Sequence, residues 1–137
     1  RIGIIGGGDL AFDFALHVKN LGGTPLIFVR NKSTCLDILL KRSLQRGLLI
    51  FENTKISKLG KQGETMILYS TKENFKVDFV LVAIGREPKF PKIPSRKTPG
   101  LYLAGDVQNG HCRQAGIAAG DGLKAAMKIS RYLSSLK

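Results

Sequence analysis

Short apolar runs and helically spaced apolar residues alternate along the first third of the chain. "RIGIIG" at 1–6 is an unbroken apolar run ending in glycine, the pattern of a strand buried on both faces. Over 9–21, Leu10, Phe14, Val18 and Leu21 recur at helical spacing, and Gly22-Gly23 closes the pattern. "PLIFV" at 25–29 predicts a second buried strand. Over 35–46, Leu36, Leu39, Leu40 and Leu44 fall on one side of a second helix that Gly47 ends, and "LLIFE" from Leu48 predicts a third strand. Strand–helix–strand–helix–strand is the order of an α/β fold with a Rossmann-like, doubly wound parallel sheet.

The texture then changes. Short alternating runs broken by Gly60, Gly63 and Asn74 predict a small antiparallel β-meander, with strands at 56–59, 65–69 and 75–77, inserted before the last parallel strands. "DFVLVAIG" at 78–85 is again an apolar strand of the parallel type. "REPKFPKIPSRKTPG" holds four of the five prolines and reads as an irregular connector. "LYLAGD" at 101–106 predicts a last strand and a Gly-Asp corner, and 115–136 a last helix with Lys128 and Arg131 near its C-terminal end. The expected organisation is a Rossmann-like domain at 1–87, a connector at 88–100 and a strand–helix segment at 101–137.

With 137 residues and 43% hydrophobic content the chain can build one core. No apolar run approaches the roughly 18–20 residues of a membrane span. Cys35 and Cys112 form no CxxC, and His17 and His111 do not cluster with them, so neither a disulfide framework nor a metal site is expected. Such cysteine usage fits a reducing cytoplasm. The chain opens on Arg1, directly in a strand, as a cut or processed end would. The net charge of +12 is compatible with an acidic nucleotide ligand, an acidic protein partner or nucleic acid. Its cations are scattered, however, which suits a solvated cationic surface first, and there is no tryptophan-bearing aromatic platform, which ranks nucleic acid last.

Gly6-Gly7-Gly8-Asp9-Leu10-Ala11 matches G-x-G-x-x-A and stands where a strand passes into a helix, the context that gives this pattern its meaning. Gly6 permits the turn, Gly8 lets a pyrophosphate approach the backbone, and Ala11 lets helix and strand pack closely. The amides that open the helix then hold the phosphate charge. NAD binders carry an acid at the end of the second strand for the ribose hydroxyls. Here that place reads Val29-Arg30-Asn31-Lys32, with no carboxylate. Arg30 and Lys32 suit the extra phosphate of NADPH. NADH remains open, since both cations also read as solvated strand-end charges.

"GGGDLAFDFA", the arginine after the second strand, "VDFVLVAIGREP" and "TPGLYLAGDV…RQAGIAAGDG" together resemble, in this order, the second half of the FAD-dependent pyridine nucleotide-disulfide oxidoreductases, and their thioredoxin reductase branch above all. The resemblance implies that Gly6, Gly7, Gly8, Asp9, Leu10 and Ala11 hold NADPH. It places Asp13 toward the nicotinamide, and sets Arg30, Asn31 and Lys32 at the ribose phosphate. Of the family's successive arginines after the second strand, only Arg30 is present. Ile84, Gly85 and Arg86 would border the nucleotide where the chain crosses between domains. Gly105 and Asp106 would meet the ribityl and phosphate side of FAD, and Arg113, Gln114 and Ala115 its isoalloxazine, at the positive end of a helix. No side chain needs to act as acid or base, because hydride transfer belongs to the cofactors.

Two family parts have no counterpart in this sequence: a second G-x-G-x-x-[G/A] for FAD, and a redox CxxC. The chain therefore reads as part of a longer reductase, as one subunit whose partner chain supplies the FAD fingerprint, or as a reduced relative in which "LYLAGD" pairs beside "FVLVAIG". Unless something else covers Leu101, Leu103, Ile117 and Leu123, self-association with a homodimer mate through that surface is expected. A non-catalytic nucleotide-binding module that has lost flavin chemistry is the competing function.

Overall fold

The computed structural model describes every residue except 88, 94, 96, 97, 111 and 137. Four positions of the expected 88–100 connector, and His111, thus lie outside the described residues. The chain divides into two units, Arg1–Gly85 and Arg86–Lys137.

The first unit runs β1 (Ile2–Ile5), α1 (Asp9–Asn20), β2 (Pro25–Phe28), α2 (Asp37–Gln45), β3 (Leu49–Phe51), β4 (Ile56–Gln62), β5 (Thr65–Ser70), β6 (Asn74–Val77) and β7 (Phe79–Val82). Four parallel strands stand in the order β3-β2-β1-β7, and β4-β5-β6 form a separate antiparallel sheet. Ile4 lies opposite Ile27 on one side and Leu81 on the other. This is the Rossmann-like α/β arrangement with an inserted meander that the apolar pattern predicts.

Period-two alternation divides the sheet's faces between two cores. Ile4 and Ile27 point to the helical side, where Ala11, Phe12 and Ala15 of α1 bury against them, with Leu39 and Leu40 of α2 at the edge. Leu26 and Phe28 point to the other side, against Leu68, Phe75 and Val77 of the meander. Phe28 stacks on Phe51 at 5.2 Å between ring centroids, and both rings meet Phe75 edge-on. Parallel sheet and meander are therefore sewn together by aromatic contacts.

Several elements differ from their expected bounds. β4 does not break at Gly60 but runs on to Gln62. The ring of Tyr69 on β5 covers Gly60, within 2.9 Å of where a Cβ would stand, so the glycine marks a close approach rather than a turn. Helix α2 starts at Asp37 rather than Cys35. Leu36 and Leu44 stay exposed, because the helix seats only the Leu39–Leu40 side on the core. β7 ends at Val82 and is an edge strand.

The second unit contains a 3₁₀ turn, Gly105–Val107, and α3 (Ala115–Ser134). The last strand expected at 101–104 is not formed, and those residues belong to neither sheet. An apolar run predicts burial, whereas a strand also needs a ladder partner. Leu101, Tyr102 and Leu103 instead line a cavity of about 260 Å³ with Ala125 and Lys128 of α3. None of the side chains of α3 is buried. Among the described residues no helix is long and apolar enough to cross a membrane, and no three His, Cys, Asp or Glu side chains gather as a metal site would require.

Candidate functional site

The turn between β1 and α1 forms the floor of the larger cleft, about 680 Å³, within the roughly 300–1,000 Å³ common for small-molecule sites. Gly6 has φ +152°, and a Cβ there would stand 2.3 Å from the Ala83 carbonyl oxygen on the neighbouring strand. Its glycine is therefore required by the fold. Gly8 differs: its backbone is extended, and a Cβ would meet nothing within 4 Å. Nothing among the described residues demands glycine at that position, and the open space lies where a ligand would meet the main chain.

Gly6 N–H donates to the Phe28 carbonyl at 3.0 Å, and Ala11 N–H to the Gly8 carbonyl at 3.0 Å. The amides of Gly7, Gly8, Asp9 and Leu10 donate to no acceptor among the described residues, and no side chain caps α1. Four free donors at the positive end of a 12-residue helix suit a diphosphate. Thr34 secures this floor from above, with both its N–H (2.7 Å) and its Oγ1 (3.2 Å) donating to the Gly7 carbonyl.

The expected residues Gly6, Gly7, Gly8, Asp9, Leu10, Arg30, Asn31, Lys32, Ile84 and Gly85 line this one cleft. Ala11 sits beneath it, fully buried against the sheet. Asp13 does not line it and is exposed on α1. Asp9 is the sole acid among the described lining residues, and its carboxylate accepts the Leu36 N–H at 2.7 Å.

Thr34, Thr54 and Lys55 also line the cleft and escape a reading of the sequence, because nothing local marks them. Glu52 was equally silent. Its carboxylate accepts both the Ser33 Oγ–H (2.7 Å) and the Ser33 N–H (2.8 Å), which holds the carboxyl below its usual range, with a smaller contribution from the Lys32 charge. Ser33 thus occupies that acid, which lies outside the cleft-lining set.

In the second unit the expected flavin residues stand in two places along the chain. Gly105 and Asp106 form the 3₁₀ turn, Gln114 is the N-cap of α3 and Ala115 its first residue. None of these, nor Arg113, lines the cavity at 101–103. Asp106 is exposed and accepts no hydrogen bond among the described residues. The guanidinium of Arg113 donates to the Arg86 carbonyl. The structuring acid here is Asp121, which accepts the Gly105 N–H (3.3 Å) and the Asn109 side-chain amide; hydrogen bonds from Gln108 and Asn109 hold its carboxyl below the usual range.

No family profile matches the chain. It is 27% identical, over a 161-residue alignment, to mitochondrial thioredoxin reductase 2 of Saccharomyces cerevisiae, covering 98% of this chain and 47% of that protein. It is 28% identical, over 170 residues, to thioredoxin reductase of Escherichia coli O157:H7, covering 99% and 53%. Among solved structures, thioredoxin reductase of Lactococcus lactis in its FR conformation superposes with a TM-score of 0.78 at 20% identity, over 98% of this chain and 53% of that one. The chain spans about half the length of the curated relatives it matches. From end to end it is related to the thioredoxin reductases, oxidoreductases of the flavoprotein class, and has their Rossmann-like fold.

Proposed function

We propose that the cleft of the first unit binds NAD(P)H, with NADPH preferred, and that the chain is the nucleotide-binding part of a thioredoxin reductase-like flavin oxidoreductase. The observation that carries this reading is the pairing of free amides at 7–10 with the unfilled space over Gly8. Bound NADPH supplies a hydride, which the flavin of such a reductase accepts.

The chain's own residues bind and orient. The α1 amides take the diphosphate, and Gly8 lets it come down onto them. Ile84 and Gly85 flank it at the end of the β7 segment. Arg30 and Lys32 meet the phosphate on the adenosine ribose. Gly105, Asp106, Arg113, Gln114 and Ala115 take part in flavin binding only once a further segment or a second chain closes around them. The two free cysteines, Cys35 and Cys112, suit a reducing compartment such as the cytoplasm.

Calorimetric titration with NADPH and NADH tests the reading, with Gly8→Asp as the control that fills the cleft with a carboxylate. Saturable binding abolished by that substitution supports it. A folded chain that takes up neither nucleotide at millimolar concentration removes it. Adding FAD and recording the visible spectrum separates a chain that holds flavin unaided from one that needs a partner.

A further inference from the structure

The geometry assigns to Lys55 the role of a further cation for the adenosine-ribose phosphate, acting with Arg30 and Lys32 to select NADPH over NADH; this rests on the nucleotide reading of the same cleft. The 53–54 corner is fastened to the loop after β2 by two backbone hydrogen bonds, Thr54 N–H to the Val29 carbonyl at 2.9 Å and Asn53 N–H to the Asn31 carbonyl at 2.8 Å. These rungs bracket Arg30. Asn53 has φ +52°, a left-handed kink that turns the chain out of β3. Lys55 follows at once, and its carbonyl accepts the Thr71 N–H at 3.1 Å, so its backbone is tied on the far side as well. Arg30 and Lys55 line one cleft although they are far apart in sequence.

A phosphate monoester carries about −1.5 to −2 charges at neutral pH and is matched by more than one cation. Arg30 supplies one. Lys32, lining the same cleft, supplies another. Lys55 forms no ion pair among the described residues. It is exposed, so replacing it leaves the core intact. NADH lacks this phosphate, and Lys55 therefore contributes to discrimination rather than to binding of the common part.

The full chain is titrated with NADP+, NAD+, adenosine 2′,5′-bisphosphate and AMP, as wild type and as Lys55→Ala, Lys55→Arg and Lys55→Glu. Lys55→Ala is expected to weaken NADP+ and the bisphosphate roughly tenfold, as for one lost charge-assisted contact, and to leave NAD+ and AMP within about twofold. Lys55→Arg restores the preference, and Lys55→Glu brings NADP+ to or below NAD+. An equal change for both nucleotides, or none for either, overturns the role of Lys55 while the nucleotide site stands. Failure of the wild type to bind any of the four ligands overturns both.

Discussion

The carboxylate of Asp9, in the first turn of α1, accepts the backbone N–H of Leu36, the N-cap of α2, at 2.7 Å. One acid at the floor of the cleft is thereby committed to fixing where the second helix begins.

Asp9 should separate into two effects. Asp9→Ala removes the acceptor and is expected to lower stability by about 1 kcal/mol, the usual worth of a capping contact, read as a drop in the urea midpoint. Asp9→Asn keeps an acceptor and removes a negative charge beside the phosphate site. It is expected to tighten NADPH about two- to fivefold, measured by calorimetry.

Gly6 and Gly8 should fail differently. Gly6→Ala drives a Cβ against the Ala83 carbonyl and forces an L residue to φ +152°. A loss on the order of 3 kcal/mol is expected in thermal unfolding. Gly8→Ala meets no atom of the described residues within 4 Å and should keep the fold. Its NADPH affinity should fall by about tenfold or more, because the methyl group holds the diphosphate off the amides.

Ser43 is fully buried on α2, and its Oγ has no hydrogen-bond partner among the described residues. Removing an unsatisfied buried hydroxyl from a helix should stabilise. Ser43→Ala is expected to raise stability by about 1 kcal/mol, seen as a higher Tm with unchanged nucleotide affinity.

Glu52 gives the fold a pH dependence of defined sign. Hydrogen bonds from the Ser33 Oγ–H and N–H lower its carboxyl, so the folded state favours the ionised form. That contribution is complete above the ordinary carboxylate range and is lost as pH falls through the lowered value. The stability gap between wild type and Glu52→Gln should therefore be widest at neutral pH and close as pH falls below the ordinary carboxylate range, in urea titrations at a series of pH values.

The parallel sheet and its two helices are legible because each rests on a local period: Ile2–Ile5 and Pro25–Phe28 as apolar runs, α1 as a spaced stripe, although α1 buries Ala11, Phe12, Ala15 and Val18 and leaves Leu10, Phe14 and Leu21 exposed. The phosphate turn is legible because a bare glycine pattern occurs between two such elements. What escapes is non-local. Lys55 reaches the cleft only because Thr54 and Asn53 bond to Val29 and Asn31, a tertiary contact that no neighbouring residue announces. Asp9 looks like part of the phosphate motif, yet its side chain serves a helix that starts far along the chain. The run at 101–104 carries the composition of a strand, and composition does not supply a ladder partner.

Helix α3 keeps its twenty residues together without burying any of their side chains. Packing of an apolar face supplies most of a helix's stability in proteins, and α3 gains little from it. Deuterium should consequently enter its amides long before those of β1 and β2, whose exchange waits on opening of the whole sheet. A brief exposure to trypsin should likewise cut at Lys124, Lys128 or Arg131 while leaving the Rossmann-like core whole.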